Sequence, residues 1–186
     1  MKVQSILRIS AGPAAIALFM AMASPFMLAQ TGDSKEISTL FKDAKTLSTL
    51  AEAHAATLET YTRSRLAWRS HAVELTAMKE DVNAFGKLSK QLSDQRAAAS
   101  PWQRVAIDQI DPLLRDMADQ LSTTINHLND NHSRIHMSAY REYLRANYDV
   151  ASRTAALMSD IVEYDEANSK ARSIEDKLEL GTDNGE

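Results

Sequence analysis

Cysteine is absent from the 186-residue sequence. That excludes disulfide staples, thiolate chemistry, Cys-x-x-Cys-His haem attachment and a lipid carried on a thiol. Glycine (5) and proline (4) are scarce, and aromatic residues make up only 6%. Turn-rich β architecture needs more of both turn residues, and β-branched runs of period two are missing as well. Also missing are a Gly-rich phosphate loop, a nucleophile-elbow sequence, and Glu-x-x-His or His-Glu-x-x-His spacings. The expectation is an all-α chain that is not an enzyme and carries no cofactor.

Charge is missing from one stretch only. Ile9 to Ala29 is uncharged and apolar, preceded by Lys2 and Arg8. A basic start, an apolar centre (Ala14 to Met22) and small residues before a cut have the layout of a secretory signal. Cleavage is expected after Ala29, giving a 1–29 signal peptide and a single 30–186 domain. Ala21-Met22-Ala23 is the competing cut, with Pro25 then crowding the new terminus. The run is also just long enough to span a bilayer, although Gly12, Pro13 and Pro25 interrupt it. The protein is therefore expected to be secreted or periplasmic, with membrane attachment only if this segment is retained.

Removing Lys2 and Arg8 with the signal leaves 19 basic residues against 25 acidic ones, a net charge of −6. A general nucleic-acid binder draws most of its affinity from a basic face, so nucleic acid is not an expected partner.

What the chain does have is helical periodicity. Ile37, Leu40, Ala44, Leu47, Ala51, His54, Leu58 and Tyr61 follow three-then-four spacing, with Asp33 and Glu36 arranged as a capping box. Leu75, Met78, Val82, Phe85 and Leu92 form a second stripe in a different register. The mismatch falls beside residues 62–71, where Ser64 or Ser70 could cap a new helix. An unbroken helix over 34–97 would be roughly 95 Å long, far more apolar stripe than its successor could cover. Ser100-Pro101-Trp102-Gln103 is a concordant start signal for a third helix. Its stripe runs Val105, Ile110, Leu114, Met117, Leu121, Ile125, Leu128, with Pro112 expected to kink or restart it. A long last helix opens near Ser138 and is expected to stop at Gly181. The fold expected is an antiparallel up-down four-helix bundle with a long C-terminal helix, its helices near 34–63, 70–97, 101–128 and 138–179.

The end of that last helix outruns its partners. Ala171, Ile174 and Leu178, set among charged residues, read as a short coiled-coil seam for a second copy or an unknown protein partner. Two clusters carry the remaining chemistry. Arg63, Arg65 and Arg69 surround Trp68 with no acid among them, a pattern that binds anionic groups or builds a helix corner. His127, His132 and His136 fall within ten residues, and the last two are four apart, a spacing metal ligands use. In an up-down bundle the first-to-second and third-to-fourth connections share an end, so both clusters, with His71, are expected to gather there. The leading expectation is a non-enzymatic binding or scaffolding protein. The alternative is a bundle that takes a metal or small ligand at its histidine-rich end.

Overall fold

The computed structural model describes residues 33–63 and 66–182, without the side chains of 179–182. The expected leader at 1–29, together with Ser64 and Arg65, lies outside the described residues. The chain is a bundle of four helices, α1 (Lys35–Tyr61), α2 (Trp68–Gln95), α3 (Pro101–Asp130) and α4 (Ser138–Thr182). Single 3₁₀ turns at Arg96–Ala98 and His132–Arg134 tighten the second and third connections. Each helix packs on its two neighbours, α1 on α2 and α4, α3 on α2 and α4, which closes the up-down-up-down square. Among the described residues no helix is long and apolar enough to cross a membrane.

The stretch from 34 to 97 is thus two helices. Helix α1 buries Ile37, Phe41, Ala44, Ser48, Ala51, Ala55 and Leu58. Leu40, Leu47 and Tyr61, on the expected stripe, are only partly buried against this core. The shift by one residue has a cause. Helix α1 is wedged between α2 and α4, so its buried arc centres between two contact faces rather than on one. Small residues there (Ala44, Ser48, Ala51, Ala55) let the helices approach closely, and Ala151, Thr154 and Ala155 do the same on α4. The α2 stripe is buried as the spacing predicts, extended by His71 and Ser89. On α3, Val105 is exposed, and Ala106 and Ile107 take its place in the core.

Helix starts depart from the sequence signals at two places. The N-cap of α1 is Ser34, whose Oγ accepts from the Ile37 N–H at 3.4 Å, and Asp33 is released for another task. Helix α2 starts from Ala67, which makes no side-chain cap, with Ser70 already inside the first turn. The α3 start stands as read, with Pro101 at the first position and Gln103 Oε1 accepting from the Ser100 N–H at 3.2 Å. Pro112 does not restart α3: the helix continues through it, and the ring lies on the exposed side. Gly181 is likewise inside α4, which reaches Thr182.

One buried amide ties α3 to α4. Asn147, fully buried, donates from Nδ2 to Thr124 Oγ1 and to the Tyr143 carbonyl at 2.9 Å. A polar group in an apolar seam that finds its partner in only one register disfavours slipped packings.

Candidate functional site

Helices α1 and α3 end, and α2 and α4 begin, at one end of the bundle, here called the tip. Trp68 opens α2 and stacks flat on His132, ring centroids 4.0 Å apart and planes 17° from parallel. This contact joins the two tip connections. The Arg69 guanidinium lies 5.0 Å from the Trp68 ring centre, within cation–π range. Arg63, Arg69, His132 and His136 are exposed. His127 is half-buried, its ring 4.9 Å from Tyr143 and 5.8 Å from Tyr140. The residues picked out by the sequence therefore do share an end, Arg65 excepted because it lies outside the described residues.

Beneath them is a buried pair that sequence reasoning passed over. Tyr140 is fully buried, and its hydroxyl is 3.2 Å from His71 Nδ1. Tyr61 meets the His71 ring edge-on at 5.3 Å. Burial, with His136 adding a like-charge contribution, pulls the His71 pKa below the ordinary histidine value. Burial pushes the Tyr140 pKa well above the usual tyrosine range. Both therefore stay neutral at pH 7, so a neutral hydrogen bond sits under a charged rim. Tyr140 is at helical spacing from Leu144 near the start of α4, so its place in the core is a local pattern. Its hydroxyl partner, 69 residues away, is not.

Helix α1 carries a second polar arrangement midway along the bundle. His54 places Nδ1 2.6 Å from Glu74 Oε1 and Nε2 3.3 Å from Asp81 Oδ2. Glu74 and Asp81 are seven apart, so they share one face of α2 and bracket the ring from above and below. Burial raises the Asp81 pKa, and His54 partly opposes the rise. A spacing of seven between two acids was legible, but not that a histidine on another helix would lie between them. Among the described residues, no three histidine, aspartate or glutamate side chains are grouped so as to hold a metal ion. His127 and His132 are engaged with aromatic rings instead.

The opposite end, the base, is braced by polar contacts. Fully buried Gln103 accepts from the backbone N–H of both Ser34 (3.1 Å) and Ser100 (3.2 Å) and donates to the Ser34 carbonyl at 3.2 Å. One side chain thus fastens the starts of α1 and α3. Asp33 accepts from Trp102 Nε1 at 2.6 Å and pairs with Arg172 at 3.0 Å. Asp165, also buried, accepts from Ser38 Oγ at 2.8 Å, and burial raises its pKa despite that bond.

Two surface features complete the inventory. A cleft of about 530 Å³ opens between α2 and α3, where Gly86 and Pro112 both line it. Its charges neutralise one another, Lys90 against Asp94 at 2.8 Å and Arg115 against Asp111 at 2.6 Å. A shallower groove of about 290 Å³ between α3 and α4 is lined by Trp102, Val105, Ala106, Ile161 and Tyr164, with Gln109 and Asp160. No family model, no curated protein and no solved structure matches the chain.

Proposed function

We propose that the chain is an exported, non-enzymatic helical bundle that works by binding or scaffolding a partner through its base end. The observation that carries this reading is the departure of α4 from the bundle. Beyond buried Asp165 every described side chain to Leu178 is exposed, apart from half-buried Asn168. The helix nevertheless continues to Thr182, about 25 Å further at 1.5 Å per residue. Tyr164, Ala167, Ala171, Ile174 and Leu178 follow three-then-four spacing along it. Tyr164 is 53% exposed, Ile174 47% and Leu178 66%. Helices in proteins draw most of their stability from packing an apolar face, and along this stretch that face is uncovered. Tyr164 also lines the Trp102–Val105 groove, so the stripe and the groove meet at that residue. Polar contacts between elements support the same reading, because buried His71, Gln103 and Asp165 and half-buried His54 and Asp33 each tie one part of the bundle to another.

Sedimentation of the chain from Gln30 onward, beside the same chain ended at Asn168, tests this. A dimer or larger species that becomes a monomer on truncation supports a self-associating scaffold. A monomer in both cases, with no protein cross-linked by a photoreactive group at Leu178 in an envelope extract, overturns it. A metal at the histidine-rich tip is the second reading, favoured by the exposure of His132 and His136. Calorimetric titration with copper and zinc checks it, with His132→Ala/His136→Ala expected to abolish any heat.

A further inference from the structure

We propose that the tip of the bundle docks end-on against the surface of an anionic lipid bilayer. The proposal stands apart from the α4 overhang and concerns the other end of the molecule. Its first support is the segregation of charge. The described residues of the two tip connections and of the first turns of α2 and α4 they lead into, 62–63, 66–71 and 131–141, include Arg63, Arg69, Arg134 and Arg141, all exposed, and no aspartate or glutamate. Exposed His132 and His136 lie among them. The nearest acids in sequence are Glu59, Asp130 and Glu142, the last two exposed, at the ends of these segments. In a chain whose net charge after the expected cut is −6, this is a local reversal of sign, and it favours an anionic partner. Guanidinium groups pair with phosphate oxygens in fork geometry, which suits headgroups.

The second support selects lipid over a soluble polyanion. Apolar side chains stand among the cations, Leu66 at 36% exposure and Met137 at 57%, with half-buried Trp68. Water-soluble polymers reward the arginines but give Leu66 and Met137 nothing to bury against. The boundary between headgroups and acyl chains rewards both. The third support is rigidity. The Trp68–His132 stack and the Tyr140–His71 hydrogen bond hold the two connections together, so the arginines are presented as one surface.

Vesicle co-sedimentation tests this with the chain from Gln30 onward, which keeps every described residue. Vesicles of phosphatidylcholine alone are compared with vesicles containing about a third phosphatidylglycerol. Binding is expected only to the anionic vesicles and is expected to fall at high salt. Arg63→Gln/Arg69→Gln/Arg134→Gln/Arg141→Gln should weaken it by roughly fivefold per arginine. An equal charge change elsewhere, Lys87→Gln/Lys90→Gln/Arg96→Gln/Arg115→Gln, should leave it within about twofold if the tip is the contact. Should the quadruple tip variant fail to fold by circular dichroism, the exposed pair Arg134→Gln/Arg141→Gln carries the same comparison. Leu66→Ser/Met137→Ser should weaken vesicle binding and leave retention on heparin unchanged. No vesicle binding, or equal loss in the tip and control variants, overturns the proposal. Heparin retention that depends on the arginines, beside vesicle binding indifferent to Leu66 and Met137, overturns it in favour of a soluble polyanion.

Discussion

The two ends of the bundle are held together by different physics. At the base, hydrogen bonds and ion pairs outnumber ring contacts: Gln103 fastens two helix starts, Asp33 joins Trp102 to Arg172, and Asp165 takes a hydroxyl from Ser38, while Trp102 also meets Phe41 and Tyr164. At the tip, rings dominate: Trp68 on His132, with His71 and His127 around Tyr140. The difference follows from what each end must do. The base has to fix the direction in which α4 leaves the bundle, and directional bonds do that. The tip has to close two connections over a core, and broad ring faces fill that space while their polar edges stay wet.

The contrast is tested most sharply at its largest contact. Tyr140→Ala removes a fully buried ring from the tip and should cost about 3–5 kcal/mol in chemical denaturation. A loss below about 1 kcal/mol would show that the ring cluster is ornamental. At the base, Gln103→Ala leaves the Ser34 and Ser100 backbone N–H groups without their acceptor, while the Ser34 carbonyl keeps the Ser38 N–H, and should cost about 2–3 kcal/mol. If it costs less than Ser38→Ala, the clamp is not what braces this end.

Acid should drive the two ends in opposite directions. The lowered pKa of His71 gives stability that is fully present above the ordinary histidine value near 6.5 and is lost as pH falls through the lowered value. The raised pKa of Asp165 has the opposite sign, a cost at neutral pH that is relieved as its carboxyl protonates. His71→Gln should therefore flatten the fall in melting temperature between pH 7 and about pH 5. Asp165→Asn should raise the melting temperature at pH 7, with the gain vanishing below about pH 4. Matching pH profiles for the two variants would dissolve the contrast. The smallest effect is expected at neither end. Gly86 lies inside α2, and a Cβ there would meet Leu114 Cδ2 at an ordinary 3.9 Å. Gly86→Ala should stabilise by about 0.5–1 kcal/mol, and a loss would mean that the α2–α3 cleft is tighter than its contacts imply.

Much of the fold was legible because it is written in local repeats. The mismatch between the stripes ending at Tyr61 and starting at Leu75 located the first connection, and Ser100-Pro101 located the second. The candidate residues were legible as types, and their meeting at one end followed from alternating chain direction alone. Two readings went astray for one common reason. Asp33 and Val105 each fit a local pattern, but a neighbouring helix decided otherwise. Asp33 was drawn from capping to Trp102 and Arg172. Val105 was turned outward, with Ala106 and Ile107 facing in.

The sequence by itself determined four helices, their order, their lengths to within a few residues and the overhang of the last one. Periodicity and capping act over three or four residues, so a single strand of text contains them. Only the tertiary structure decided that His54 lies between Glu74 and Asp81, that Gln103 serves two helix starts, and that Tyr140 reaches His71. Apart from the local bond from the Ser100 N–H to Gln103, each of those contacts joins residues 20 or more positions apart, and which side chains meet depends on the rotation of one helix about its axis relative to another. No local pattern encodes that rotation; close packing of all four helices sets it at once.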